Sequence, residues 1–347
     1  MKAGFFNTVA YAGPWTNNAW PTPPVLCDRE AGSRTMRQAM DQTLLADELG
    51  FDWVSVSEHH YSPRILTPSP MIFAGAITQR IKRAKIAVLG PLLPLSNPVR
   101  VAEELAMLDV MSEGRIVVLF LRGTPNEVLV YRANPDETRD VTQEGVELIL
   151  RAWTEPQPFG WEGRYFNYRT VSVWPRTLQE PHPPVFSSGN TPDSVPFAAR
   201  RRLGLALSFM PLASIKHRVD LYREEAAKAG WEPAADDVVY RFFGHVAETD
   251  EEARKNIGDN KVDLRRIFAM NEAMLKKLMG NRAELQMMEK PFLFGGPAAV
   301  VDQIGALREA GVGIMDMAFT WPGISYEQQL RSMECFASRV IPQIRAL

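Results

Sequence analysis

The sequence predicts a single (β/α)8 barrel. Three observations carry that prediction. Eight short apolar runs are each followed by a segment of helical spacing, no G-x-G-x-x-G loop follows the first run, and 347 residues suit one barrel with insertions. A doubly wound open sheet, the competing class, more often shows about five to seven strands with that glycine-rich loop.

The units run in order along the chain. Ala3–Phe6 leads into Asn7-Thr8-Val9-Ala10-Tyr11 and precedes a helix over Arg34–Leu49, where Met36, Met40, Thr43, Leu44 and Ala46–Asp47 share a face. Trp53–Ser57 precedes Pro70–Ile81, Ile86–Leu89 precedes Asn97–Met111, and Ile116–Leu121 precedes Val141–Trp153. In the second half Val185–Ser188 pairs with Pro192–Arg202, Leu205–Phe209 with Ile215–Ala229, Val238–Val246 with Glu251–Ile257, and Ile314–Phe319 with Tyr326–Ile344. Asn97-Pro98 and Thr191-Pro192 read as capping side chains before a first-turn proline. Thr249-x-x-Glu252 reads as a capping box. Gly50, Gly114, Gly204, Gly230 and Gly311 sit where left-handed helix ends are wanted.

Composition narrows the function class. With 46% apolar residues, 23% charged residues and a net charge of −2, the chain is neither disordered, fibrous nor a strongly basic nucleic-acid binder. No window approaches the roughly 18 apolar residues of a membrane span. The start, Met1-Lys2-Ala3-Gly4-Phe5-Phe6, lacks the apolar core of a signal peptide. Cys27 and Cys335 form no Cys-x-x-Cys unit, so a reducing cytoplasm is the expected compartment. A small-molecule enzyme is the expected class.

Three connections exceed the usual length and are where substrate contacts are expected. Ala12–Ser33 is proline-rich and carries Trp15 and Trp20. Glu155–Pro184 holds Trp161, Tyr165, Phe166, Tyr168 and Trp174 at hairpin spacing. Gly258–Gly296 holds Met270, Met274, Met279, Met287 and Met288, which suits either a lid over an apolar substrate or an extra helical pair.

Function in such a barrel sits where strands end. Strand two ends in Ser57-Glu58-His59-His60, strand three in Leu89-Gly90-Pro91, strand four in Leu121-Arg122-Gly123, and strand five in Ser187-Ser188-Gly189-Asn190-Thr191. Alternation puts Val54 and Val56 under the helices and Trp53, Ser55, Ser57 and His59 inside the barrel. His59 is therefore the expected acid–base group, with Glu58 and His60 turned away. A metal site is not expected, because adjacent histidines face opposite ways and no His-Glu-x-x-His occurs. The run Ser187 to Ser194 reads as an anion site at a helix start, with Arg122 as its charged partner and Asp193 opposing it. The helix end contributes only about 0.3–2 kcal/mol, so the arginine would decide the matter.

These residues resemble the bacterial luciferase-like flavin-dependent monooxygenases. The likeness covers Phe51–His60, Ala87–Arg115 with Asn97-Pro98-Val99-Arg100, the Arg122-Gly123 turn, Pro184–Gly204, and Gly296-Pro297 through Val340-Ile341-Pro342. It implies a barrel that binds reduced FMN delivered by a separate NAD(P)H-dependent flavin reductase, oxidises an apolar or aromatic small molecule with dioxygen, and forms a homodimer. By the same likeness His59 is the catalytic histidine. Glu58, Leu89, Gly90, Arg122, Ser188, Gly189, Asn190, Thr191 and Ser194 surround the cofactor, and a cis peptide is expected at Leu89–Gly90. The chain departs from the pattern at Val117-Val118-Leu119-Phe120-Leu121, which lacks glycines before the Arg-Gly turn, and at Thr124-Pro125 after it. The alternatives are a deazaflavin-dependent hydride-transfer oxidoreductase and a flavin-binding protein without turnover.

Overall fold

The computed structural model describes residues 1–14, 20–131, 133–260 and 292–346. Eight parallel strands close into a barrel. They are β1 (Lys2–Phe6), β2 (Trp53–Val56), β3 (Lys85–Leu92), β4 (Ile116–Leu121), β7 (Val185–Ser188), β8 (Gly204–Ser208), β9 (Val238–Val246) and β11 (Ile314–Ala318). Closure runs from β8 to β9, β9 to β11 and β11 back to β1. These are the eight runs expected from the sequence. β5 (Phe159–Glu162) and β6 (Asn167–Val171) form the antiparallel hairpin expected in the second long connection. Glu144 holds its turn, accepting from the backbone N–H groups of Arg164, Tyr165 and Phe166.

Helices cover the outside in alternation. They are α1 (Arg29–Glu48), α2 (Pro70–Thr78), α3 (Pro98–Met111), α4 (Pro125–Val130), α5 (Thr138–Thr154), α6 (Val195–Arg200), α7 (Leu212–Lys228), α8 (Asp250–Ile257), α9 (Pro297–Glu309), α10 (Tyr326–Cys335) and α11 (Ile341–Ala346). Strands covered by helices outside and filled by side chains inside must be largely apolar on both faces, and these are, with Ser55, Arg241 and Asp316 as inward polar exceptions. Val54 and Val56 pack into the outer core, while Trp53 joins the inner cluster.

Several local expectations change. Asp28 caps α1, its Oδ1 accepting from Ala31 N–H at 2.7 Å, so the first long connection ends earlier than expected. Asn97 caps α3 as expected, accepting from Arg100 N–H at 3.1 Å. Thr191 makes no capping bond, because Pro192–Ser194 is a 3-10 turn and α6 has only six residues. At α8 the Thr249 side chain caps Glu252 N–H, but Glu252 reaches back to Glu248 N–H instead of closing the box. Gly50, Gly114, Gly230 and Gly311 have positive φ; Gly204 does not, and Arg202 takes the left-handed position before it. The single helix expected over Tyr326–Ile344 is divided by a π turn at Phe336–Val340. A ninth strand, β10 (Leu293–Gly295), pairs with the far end of β9 within the long 258–296 connection. Residues 261–291, with the five methionines, and Trp15 lie outside the described residues.

The barrel floor explains two glycines. A Cβ on Gly4 would meet Trp53 Nε1 at 1.8 Å, and one on Gly204 would meet the Phe186 ring at 2.3 Å. With both Cβ atoms absent, the two rings meet edge to face at 6.1 Å and close the floor.

Candidate active site

A charged layer lies above the floor. Asp316 of β11 is fully buried and accepts from Trp53 Nε1 (3.0 Å), Ser55 Oγ (2.8 Å) and Arg241 Nε (2.8 Å). Arg241, on β9, also lies 3.7 Å from the Phe6 ring centroid. A buried pair survives only where each charge is met by hydrogen bonds, and here the carboxylate has three donors.

Next comes the mouth. His59 lies there just beyond the end of β2, and its Nδ1 lies 3.2 Å from Glu127 Oε1. Glu127 comes from the first turn of α4, where Thr124-Pro125-Asn126-Glu127 forms a capping box. Its other oxygen, Oε2, accepts from the Thr124 N–H at 2.8 Å and from the Thr124 hydroxyl. Burial alone would raise the Glu127 pKa, but the bonds from His59 and Thr124 outweigh it and hold it at about 2. An ionised carboxylate only accepts, so His59 Nδ1 carries the proton and Nε2 is the bare base. Burial lowers the His59 pKa, Glu127 opposes this, and the charges of Arg64 and Arg241 add to the lowering. His59 is thus a neutral base at pH 7, with the tautomer fixed by its carboxylate.

Glu58 and His60 form a second, outer pair. His60 Nε2 lies 3.0 Å from Glu58 Oε1, and His60 Nδ1 lies 3.1 Å from the Tyr131 hydroxyl. Glu58 Oε2 accepts from Leu92 N–H at 3.3 Å, tying the histidine turn to the end of β3. Leu89 faces the inner cluster. Gly90 has φ +131, and a Cβ there would meet the Leu121 side chain at 2.6 Å. The Leu89–Gly90 peptide is trans, contrary to expectation; the cis bonds among the described residues all precede proline. Glycine's freedom at φ supplies the turn here.

Across the mouth lie the ends of β4, β7 and β8. Arg122 makes no hydrogen bond or ion pair among the described residues; burial weakens its hold on its proton, and Arg139 nearby adds to this. Arg139 of α5 pairs with Asp193 at 3.2 Å, and Arg218 of α7 also feels that carboxylate. The Nε atoms of Arg139 and Arg218 are buried without partners. Asp193, expected to oppose an anion, is thus faced by three guanidinium groups. The turn itself contributes less than the sequence suggests. Ser194 Oγ donates to Thr191 O (2.7 Å) and lies 3.2 Å from Thr191 Oγ1, so these hydroxyls bind each other. Asn190 is clamped to Ser208 through both amide atoms, at 2.7 and 2.9 Å, and fastens β7 to β8. Ser188 ends β7 on the side of Phe186, and Gly189 N–H donates to Ala206 O.

The structure therefore brings the expected residues to one mouth, in two groups. Sequence reading missed Glu127, Arg64, Arg241, Asp316, Arg139 and Arg218. The capping box at Thr124 and the lone carboxylate inside the apolar run Ile314–Phe319 were the available signals for Glu127 and Asp316.

Comparison with known proteins agrees with this fold. The profile of the luciferase-like monooxygenase family matches residues 11–313. The alkanal monooxygenase alpha chain of Photobacterium leiognathi is 24% identical over 340 residues, covering 91% of this chain and 95% of that one. The structure of monooxygenase RslO1 from Streptomyces bottropensis superposes with a TM-score of 0.80 at 26% identity, over 99% of this chain and 100% of that one. An F420-dependent secondary alcohol dehydrogenase shares the fold, with a TM-score of 0.73 at 19% identity over 99% of each chain. The chain belongs to the luciferase-like monooxygenase family.

Proposed function

We propose that this protein is the oxygenase of a two-component system, using reduced FMN and dioxygen to oxidise a small organic molecule. One observation carries the reading: an arginine-rich cradle and a carboxylate-oriented neutral histidine face each other across one barrel mouth. Arg122, Arg139 and Arg218 would hold the FMN phosphate, because their unpaired donors fit a dianion better than the lone Asp193 does. Leu89, Gly90, Ser188 and Gly189 would lie along the ring system, and the buried, unpartnered Ser57 Oγ offers it a polar contact. Asn190, Thr191, Ser194 and Glu58 would shape this wall through the bonds described above. Bound reduced FMN would supply the electrons that activate dioxygen.

The chain's own part is acid–base control and exclusion of water. His59 Nε2 takes a proton from the substrate or returns one, while Glu127 keeps the ring in the productive tautomer. Phe209, Phe243 and Trp321 contact one another in series, at 4.9 and 5.9 Å between centroids, and line the dry side of the mouth. Exposed Ile72, Met107 and Val110 on α2 and α3 support a homodimer through these helices. A deazaflavin dehydrogenase is the second reading, because the His59–Glu127 pair also suits removal of an alcohol proton during hydride transfer.

Anaerobic titration with reduced FMN and with reduced deazaflavin, followed by an oxygen pulse, separates the readings. Tight binding of reduced FMN and oxygen consumption are expected. Binding of the deazaflavin alone would replace the first reading with the second, and binding of FMN with peroxide as the sole outcome across a substrate panel would favour a flavin carrier.

A further inference from the structure

One charged group at the mouth helps lower the His59 pKa but makes no hydrogen bond or ion pair with its guanidinium among the described residues. Arg64 lies in the segment after β2, and that segment is anchored on both sides. Tyr11 N–H donates to Pro63 O (3.0 Å), Leu66 N–H to Val9 O (3.0 Å) and His59 N–H to Thr67 O (3.2 Å). Next door, Ile65 packs with Phe6 and Ala318. The backbone that presents Arg64 is therefore held by the barrel itself.

Its guanidinium is unspent. Among the described residues it makes no ion pair, and its Nε is buried with no hydrogen-bond partner. The carboxylates of this half are engaged elsewhere. Glu127 serves His59 and Thr124, Asp316 serves Arg241, Trp53 and Ser55, and Glu58 serves His60 and Leu92 N–H. Buried donors are ordinarily satisfied, so an orphan in a cleft marks a place for a partner from outside. A guanidinium fork matches an oxygen anion, and the arginines on the opposite wall already suit the phosphate.

We propose that Arg64 binds an anionic oxygen of the substrate, so that the molecule oxidised is an aromatic or apolar compound bearing a carboxylate or phenolate. This rests on the oxygenase reading and narrows its substrate class from any apolar molecule to an organic anion. The anionic end sits by Arg64, and the adjoining carbon faces His59.

Calorimetric titration of the FMN-loaded protein with benzoate, benzamide and 4-nitrophenolate tests this in wild type, Arg64→Gln and Arg64→Lys. Benzoate or 4-nitrophenolate is expected to bind at least tenfold more tightly than benzamide, and whichever does so identifies the anion. Arg64→Gln should abolish that preference, Arg64→Lys should keep part of it, and FMN affinity should stay within twofold in both. Equal binding of anion and amide by wild type, or an undiminished preference in Arg64→Gln, would overturn the proposal. So would a loss of FMN affinity with the anion preference intact, which would give Arg64 to the cofactor. If wild type binds no FMN, the oxygenase reading fails, and the same comparison on flavin-free protein still decides the role of Arg64.

Discussion

The two halves of the barrel mouth handle charge in opposite ways. Around β2, β9 and β11, and where α4 reaches the turn after β2, the carboxylates are buried and enclosed by donors: Asp316 by Arg241, Ser55 and Trp53, and Glu127 by His59 and Thr124. Across the mouth, at the ends of β4 and β7, Arg122, Arg139 and Arg218 face one exposed carboxylate, Asp193. The first half is preorganised, so a group such as His59 keeps its tautomer and position without help from a ligand. The second half is electrostatically incomplete. A site that must bind a dianion reversibly is better left short of negative charge than filled with it. Under the proposed function, the contrast would separate the half that performs proton chemistry from the half that holds a cofactor.

The largest expected effect breaks the first half. His59→Ala should lower product formation by about 10²–10⁴-fold while leaving FMN affinity within a few-fold, because only the base is removed. Unchanged coupled turnover would remove His59 from the mechanism. The same residue fixes the pH dependence. Its pKa lies below the ordinary 6.5, so kcat/KM should be flat around neutrality and fall as acid protonates Nε2. A loss of rate on the alkaline side would point to a different group.

Stability should separate the halves next. Asp316→Ala leaves Arg241 charged and unpaired in the interior, and should cost roughly 3–5 kcal/mol in urea unfolding. Asp193→Ala removes an exposed partner of Arg139, and should change stability by less than about 1 kcal/mol while strengthening anion binding. Equal costs would mean that the difference in burial has no energetic consequence.

How much of this was readable in the chain depends on distance along it. The barrel was legible because each strand–helix unit repeats a local pattern, and a period of two fixes which face of a strand looks inward. That period turns His59 toward the mouth, where its ring meets Glu127. Its partner was not legible, because Glu127 lies 68 residues away and the box Thr124-x-x-Glu127 announces only a helix start. The Arg241–Asp316 pair spans 75 residues and joins the last two barrel strands, which the long 258–296 connection separates along the chain. At Thr191 and Ser194 the long-range part was again hidden. Their local chemistry suits an anion, but in three dimensions their hydroxyls satisfy each other and the charge is supplied from α5 and α7.

The decisive measurement is equilibrium binding of FMN and riboflavin, side by side, to wild type and to Arg122→Ala. FMN should bind about tenfold to a hundredfold more tightly than riboflavin in wild type, the effect of a charge-assisted contact of roughly 1.5–3 kcal/mol, and Arg122→Ala should erase most of that advantage while leaving riboflavin unchanged. Equal affinities for the two flavins in wild type, or an equal loss for both in Arg122→Ala, would contradict a phosphate site in the arginine-lined half of the mouth.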